Sequence, residues 1–387
     1  MMNQTSFPRG SAQRKFISWL LTAVLVFTAA FGCMALTTGQ AGAATRKTEV
    51  RGIWFSFCDF KTLGLYNKSE KTFTRNLDKA LNRAKYQGCN TIYWHARAFD
   101  DATWKSRTFK ASAYLTSKAS TKKTASRVYS YDPLKIVVRE GHERGLKVHA
   151  WLNPYRITYS RFLNPKSKRS TSRINRAVNE LKAYSLDGIH FDDYFYHSTR
   201  YYRTPAKGQT YRISVRGSDT AGTPSARVRR ACVNRMVRTT YKNVHKKKGW
   251  VFGISPQGNY ENCMSGGCDV KTWLQSKKAK YVDYLVPQIY WTDNWGSSGR
   301  TKMFTTRLNL FKKLNKRNVD MYIGLALYRT GKKAGDDRGW GWRSTNLRTQ
   351  VKKMRAAKLE GYVLFTSADL YRSGAQKELK NLRRYVK

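Results

Sequence analysis

Acidic side chains are scarce in this chain: 24 Asp and Glu stand against 74 Lys and Arg over 387 residues, a formal net charge of +50. So lopsided a balance predicts attraction to a polyanion, whether nucleic acid, anionic lipid or an acidic cell-wall polymer. Cysteine is sparse too, and six in this length exclude a small disulfide scaffold. Metal-binding patterns of the H-x-x-x-H, H-E-x-x-H and Asp-rich loop kinds are missing, so neither a metal nor another cofactor is expected. Nor does a G-x-S-x-G elbow support a serine nucleophile. Aromatic residues, in contrast, make up 13% of the chain and hydrophobic ones 41%. Those proportions exclude a disordered polycation, and the length suffices for one large domain or two ordinary ones.

Long apolar runs are limited to the start of the chain. Arg9, Arg14 and Lys15 precede an apolar stretch over residues 16–36, and Ala41-Gly42-Ala43-Ala44 follows. This order of basic, apolar and small residues predicts a secretory signal over residues 1–44, cleaved near Ala43 or Ala44. The alternative is an uncleaved anchor with the remainder outside. Without that segment 71 basic residues face the same 24 acids, leaving +47 on residues 45–387. Export argues against nucleic acid as the partner and favours anionic wall polymers or a phospholipid surface. The expected location is therefore secreted, extracytoplasmic or wall-associated.

Beyond the signal, short β-rich apolar segments alternate with segments of helical period. Strands are expected over residues 50–58, 90–97, 146–153, 187–195, 249–256, 281–291, 321–328 and 361–367. Their continuous apolar character is that of buried parallel strands rather than half-exposed ones. Helices are expected over 71–86, 133–144, 174–184, 226–246, 301–314 and 345–358. Glycine turns such as Arg144-Gly145-Leu146 and Glu360-Gly361-Tyr362 fit the αβ connections. Eight β/α units predict an α/β (β/α)8 TIM barrel, and the first unit lacks the Gly-rich phosphate loop of a doubly wound sheet. Two long polar connections, 101–131 and 198–223, follow strands and so belong to the C-terminal face, where barrel enzymes build their sites.

Polar groups and large aromatics converge on that face from nearly every strand end, a mixture suited to a carbohydrate cleft. The expected substrate contacts are His95 and Arg97 from strand two, Asn153, Tyr155 and Arg156 from strand three, and His190 from strand four. Strand five adds Gln257 and Asn259, and strand six Gln288, Tyr290 and Trp291. Glycosidic cleavage commonly uses two carboxyl groups. Asp192, closing strand four in His190-Phe191-Asp192-Asp193, is the leading candidate, and strand alternation turns Asp193 to the opposite side. Asp193 and Asp59 are candidates for the second carboxyl, and Glu261, Asp293 and Asp369 remain open. His149, within an apolar strand, is a core histidine or a ligand. Cys263 and Cys268 are expected to form a local disulfide, and Cys58, Cys89 and Cys232 to be buried thiols.

Several of these segments resemble those of the glycosyl hydrolase-like 10 family. They are Val50-Arg51-Gly52-Ile53-Trp54-Phe55-Ser56, Ala150-Trp151-Leu152-Asn153-Pro154-Tyr155-Arg156, Ile254-Ser255-Pro256 and Pro287-Gln288-Ile289-Tyr290-Trp291. The most specific is Asp187-Gly188-Ile189-His190-Phe191-Asp192-Asp193-Tyr194-Phe195-Tyr196. The resemblance runs from about Glu49 to about Leu370. It implies a (β/α)8 barrel, export, and glycoside hydrolysis; one bacterial relative is a peptidoglycan glycosidase acting on glycan strands stripped of their peptides. By this likeness Asp192 is the strand-four carboxylate, with Arg97, Asn153, Arg156, Gln288 and Tyr290 lining the cleft. The chain departs from the pattern at Cys263–Cys268 and has no Glu at the end of strand five. A non-catalytic barrel binding wall glycan or teichoic acid by charge and stacking is the competing expectation.

Overall fold

Eight short strands carry the chain around a closed barrel. They are β1 (Val50–Phe55), β2 (Thr91–Arg97), β3 (Lys147–Leu152), β4 (Gly188–Phe191), β5 (Val251–Ile254), β6 (Tyr284–Leu285), β7 (Asp320–Leu325) and β8 (Gly361–Leu364). All pair in parallel and in sequence order, and β1 closes the ring by pairing with both β2 and β8. The register sets Gly52 opposite Thr91 on one side and Val50 opposite Gly361 on the other. The computed structural model describes residues 48–387 except 122, 197–199, 204–209, 214–223 and 333–334, with only the backbone of 200–203 and 210–213. The expected signal, residues 1–44, and most of the expected connection 198–223 lie outside the described residues. Among those described, no helix is long and apolar enough to cross a membrane.

A helix follows every strand and returns the chain to the next: α1 (Glu70–Tyr86), α2 (Pro133–Glu143), α3 (Lys168–Leu181), α4 (Ala226–Val244), α5 (Val270–Gln275), α6 (Met303–Leu314), α7 (Asn346–Ala356) and α8 (Gln376–Val386). Their starts are written in side chains. Ser69 caps α1 by accepting from the Thr72 amide, with Glu70 in the first turn, and Asp132 caps α2 ahead of Pro133. The expected connection 101–131 is packed rather than loose. Trp104 within it is buried and donates to Glu180 of α3 at 2.9 Å.

The barrel interior is filled by rings: Trp54, Tyr93, Trp151, Tyr284 and Tyr322 pack there with Val286 and Val363. Strands this close admit so many large side chains only where neighbours have none. A Cβ on Gly253 would lie 2.1 Å from the Tyr284 ring, and one on Gly52 2.8 Å from that of Tyr93. Small-against-large pairing thus makes the interior a packed core rather than a pore.

Two expectations about cysteine are corrected. Cys263 and Cys268 are free, buried thiols rather than a disulfide. The Cys263 thiol is turned to the Gln257 carbonyl at 3.1 Å, while the Cys268 amide donates to the Cys263 carbonyl at 2.8 Å. Cys58 is exposed instead of buried, because β1 ends at Phe55 and the chain has already left the sheet.

Candidate active site

The floor of the C-terminal face is a hydrogen-bonded network beneath β4. His190, fully buried, has its Nε2 3.2 Å from Trp54 Nε1 and 3.1 Å from Ser255 Oγ, and its Nδ1 3.2 Å from the Tyr284 hydroxyl. Indole N–H only donates, which assigns the imidazole proton to Nδ1. Burial, reinforced by His149, holds His190 well below its ordinary range and keeps the ring neutral. His149 is itself a satisfied core residue, 2.9 Å from the Tyr284 hydroxyl and pushed down to about 4 by burial.

Above this floor stand two carboxyl groups. Strand pairing stops at Phe191, so alternation lapses and Asp193 does not turn away from Asp192 as expected: both line one cavity of about 340 Å³. The Asp193 amide donates to Asp192 Oδ1 at 2.9 Å, and the two side chains lie within hydrogen-bonding reach of each other. Gln288 Nε2 approaches Asp192 Oδ1 at 3.2 Å, Asp193 Oδ1 at 3.4 Å and the Ser255 carbonyl at 2.9 Å. One amide nitrogen has two protons and cannot serve three acceptors fully. Burial above all, and then the neighbouring Asp193, push the Asp192 carboxyl well above the usual range. Its affinity for a proton is thereby raised, the direction that suits a group that donates one.

Rings enclose the rest of the cavity. Trp54, Trp151 and Phe365 form one group, Tyr290 and Tyr328 a second, and Phe57, Tyr159 and Tyr194 a third beside Arg156. His95 stacks on Trp151 with ring centroids 3.6 Å apart. Its Nδ1 accepts from the Phe57 amide at 3.4 Å, leaving Nε2 as the protonated nitrogen. His95 Nε2 and Asn153 Oδ1 lie close, each buried short of a well-formed hydrogen bond, and Trp151 Nε1 is buried without one. Stacking faces beside polar atoms with bonding capacity to spare fit the alternating faces and hydroxyls of a sugar.

The structure thus brings Asp192, Asp193, His95, Asn153, Arg156, Gln288 and Tyr290 to one cavity, with His190 beneath it. Other expected residues lie elsewhere. Arg97 is fully buried behind the rim, where Nη1 donates to the Asn153 and Pro154 carbonyls at 2.7 and 3.1 Å and Nη2 pairs with Asp100 at 2.7 Å. Tyr155 is buried against Phe195, and Asn259 caps the short helix Tyr260–Ser265. The Gln257 backbone bridges to that of Gln288, while Trp291 lies under the Arg307 guanidinium at 4.0 Å. Asp59 ties β1 to the segment after β8, accepting from the Ser56 amide and the Thr366 and Ser367 hydroxyls at 3.1, 2.9 and 2.8 Å. Burial raises its carboxyl to about 6 in spite of those donors. Asp293 pairs with Lys353, Asp369 with Arg372, and Glu261 is exposed. Sequence reasoning missed Tyr159, which reaches the cavity from a loop, and Tyr328, which reaches it from the short 3-10 turn Leu327–Arg329 after β7 at the end of the expected strand 321–328; it also left Trp54 and Trp151 out of the contact set although both sit in aromatic strand ends.

The profile of the glycosyl hydrolase-like 10 family matches residues 49–172 and 155–342. The chain is 24% identical over 367 residues to glycosyl hydrolase YngK of Bacillus subtilis (strain 168), covering 82% of this chain and 67% of that one. It is 25% identical over 370 residues to glycosyl hydrolase DigH of Escherichia coli (strain K12), covering 79% and 81%. Among solved structures, an endo-1,4-beta-mannanase from Rhizomucor miehei aligns with a TM-score of 0.56 at 7% identity, over 88% of this chain and 96% of that one. The PgaB (BpsB) glycoside hydrolase domain from Bordetella bronchiseptica gives 0.55 at 12% identity, over 88% and 98%. Those two likenesses speak to the barrel, and the profile speaks to descent. By that profile, which spans most of the described chain, the protein belongs to the glycosyl hydrolase-like 10 family and, with it, to the glycoside hydrolases.

Proposed function

We propose that this glycoside hydrolase is exported and cleaves glycosidic bonds in a cell-wall glycan such as peptidoglycan, with the Asp192–Asp193 pair supplying the acid–base chemistry. The observation that carries the reading is a buried carboxyl, Asp192, whose proton affinity is raised by burial, beside a second carboxyl in a ring-lined cavity. Asp192 gives its proton to the departing glycosidic oxygen as the bond to the anomeric carbon breaks. The pair, now more negative by one charge, lies next to the positive charge that develops on the sugar, and a water that adds to the anomeric carbon returns a proton to it. His190 keeps the floor neutral, so no cation beneath Asp192 draws its proton away. A net charge of +50 supports a polyanionic envelope as the place of work.

Incubating the purified protein with peptidoglycan sacculi and with peptide-free glycan strands tests this reading. Soluble fragments with new reducing ends are expected. Binding to the wall without any fragment release would instead be the behaviour of a non-catalytic wall-binding barrel.

A further inference from the structure

The end of the barrel opposite the cavity carries charge of one sign along part of its rim. Helices return there to the strands, and three of the return loops are rich in lysine. Lys246-Lys247-Lys248 stand between α4 and β5, Lys277, Lys278 and Lys280 between α5 and β6, and Lys316 and Arg317 between α6 and β7; all eight are exposed. Strands β5, β6 and β7 are neighbours in the ring, so the three loops form one sector. Among the described residues none of these cations pairs with a carboxylate. The acids of the sector are half-buried and bonded within the protein. Asp283 accepts from the Phe252 amide at 2.7 Å, Glu360 from the Met321 amide at 2.8 Å and Asp320 from the Tyr322 hydroxyl at 3.4 Å. Across the same end, in contrast, Arg144 between α2 and β3 pairs with Asp78 at 3.2 Å and Glu140 at 2.9 Å. Exposed like charges repel, so a sector of this kind is stabilised by an anionic surface brought against it. An exposed aromatic lies at this end too: Tyr86, the last residue of α1, is 53% exposed with the Arg383 guanidinium 4.1 Å from its ring centre.

We propose that this end of the barrel docks on a bilayer surface that contains anionic phospholipid, which turns the Asp192 cavity outward, away from the membrane. Loops at one end of a barrel lie side by side. A strand of phosphodiesters follows one row of cations, whereas a layer of headgroups meets all three loops at once. Tyr86 suits the same surface, because tyrosine pairs an apolar ring with a wet hydroxyl and is favoured at headgroup level. A bilayer also agrees with the order of the chain: the apolar stretch 16–36 precedes β1, which starts at this end. The docking face is separate from the cavity, so the inference does not rest on the acid–base reading of Asp192.

The test is co-sedimentation of the full chain with vesicles of phosphatidylcholine and phosphatidylglycerol in equal parts, beside vesicles of phosphatidylcholine alone. Wild type is expected to bind the anionic vesicles at least about 100-fold more tightly, and ~1 M salt to remove that preference. One variant combines Lys246→Gln, Lys247→Gln, Lys248→Gln, Lys277→Gln, Lys278→Gln and Lys280→Gln. A second removes the same charge from exposed positions at the cavity end, with Lys61→Gln, Lys68→Gln, Lys105→Gln, Lys110→Gln, Lys118→Gln and Lys302→Gln. The first is expected to lose at least about 30-fold of the preference and the second at most about 5-fold. Equal losses in the two variants, or no preference in wild type, overturn the inference. A second reading needs no variant: on anionic vesicles the lysines of the first set are expected to be protected from acetylation, while those of the second stay reactive. Protection at the cavity end instead overturns the orientation. Soluble poly(glycerol phosphate) serves as competitor and is expected not to displace the protein at equal phosphate. Displacement would identify a polyanion strand as the better partner and overturn the choice of a bilayer.

Discussion

Burial raises the carboxyl groups of both Asp59 and Asp192, and their neighbours give them different work. Asp59 accepts from three donors and is not among the residues that line the Asp192 cavity, whereas Asp192 shares Gln288 with a second carboxyl and faces open space. Removing the Asp59 acceptors orphans buried hydroxyls and an amide, so Asp59→Ala is expected to cost roughly 2–4 kcal/mol in denaturant unfolding. The folded carboxyl titrates near 6 and the free one near 3.8, so the folded state holds the extra proton between those values. Stability from this group is full below the lower value and lost as pH rises through the upper one; Asp59→Asn should flatten that slope in thermal melts. For Asp192, kcat/KM is expected to fall on the alkaline side as its proton leaves. Because Asp193 raises Asp192, Asp193→Asn should move that limb toward acid by at least about one unit in a pH–rate profile. An unmoved limb would contradict the influence of Asp193 on Asp192.

Strands and their ends set how much of this can be read without coordinates. Every expected strand is present because parallel strands buried on both faces are near-continuous apolar runs, a signal that survives even at β6, where only Tyr284–Leu285 pair. The expected strands overshoot at their C-terminal ends, most clearly at β4 and β6. There the apolar run continues as rim aromatics that line the cavity after sheet pairing has ceased, which is also why alternation misplaced Asp193. Tyr159 depends on how a loop folds over the mouth, and Arg97 on an ion pair with Asp100 of the following loop, which pairs in turn with Arg173 of α3; neither contact has a local signature. Glycine carries the complementary message inside the barrel. Gly253→Ala forces a Cβ to within 2.1 Å of the Tyr284 ring, so a loss of about 1–3 kcal/mol is expected from overpacking. Gly335→Ala, whose Cβ meets nothing within 4 Å, should be neutral in the same unfolding assay.

At the scale of the whole molecule, charge and chemistry divide the labour. The +50 balance is spread over the chain, while the carboxyl groups placed for reaction are two among 24. Surface attraction to an anionic wall is screened over about 3 Å at 1 M salt. Protein bound to sacculi at low salt is therefore expected to wash off at ~1 M salt, equally for wild type and Asp192→Asn; retention at that salt would assign the holding force to ring stacking instead. Catalysis should respond in the opposite way, insensitive to which surface charge is screened and dependent on one proton. The most direct measurement is kcat/KM for reducing-end release from peptide-free glycan strands by wild type and by folded Asp192→Asn. Loss of the acid predicts a fall of about 10²- to 10⁴-fold with substrate binding retained. Rates for the two proteins within a few-fold of each other would contradict the assignment of Asp192 as the acid.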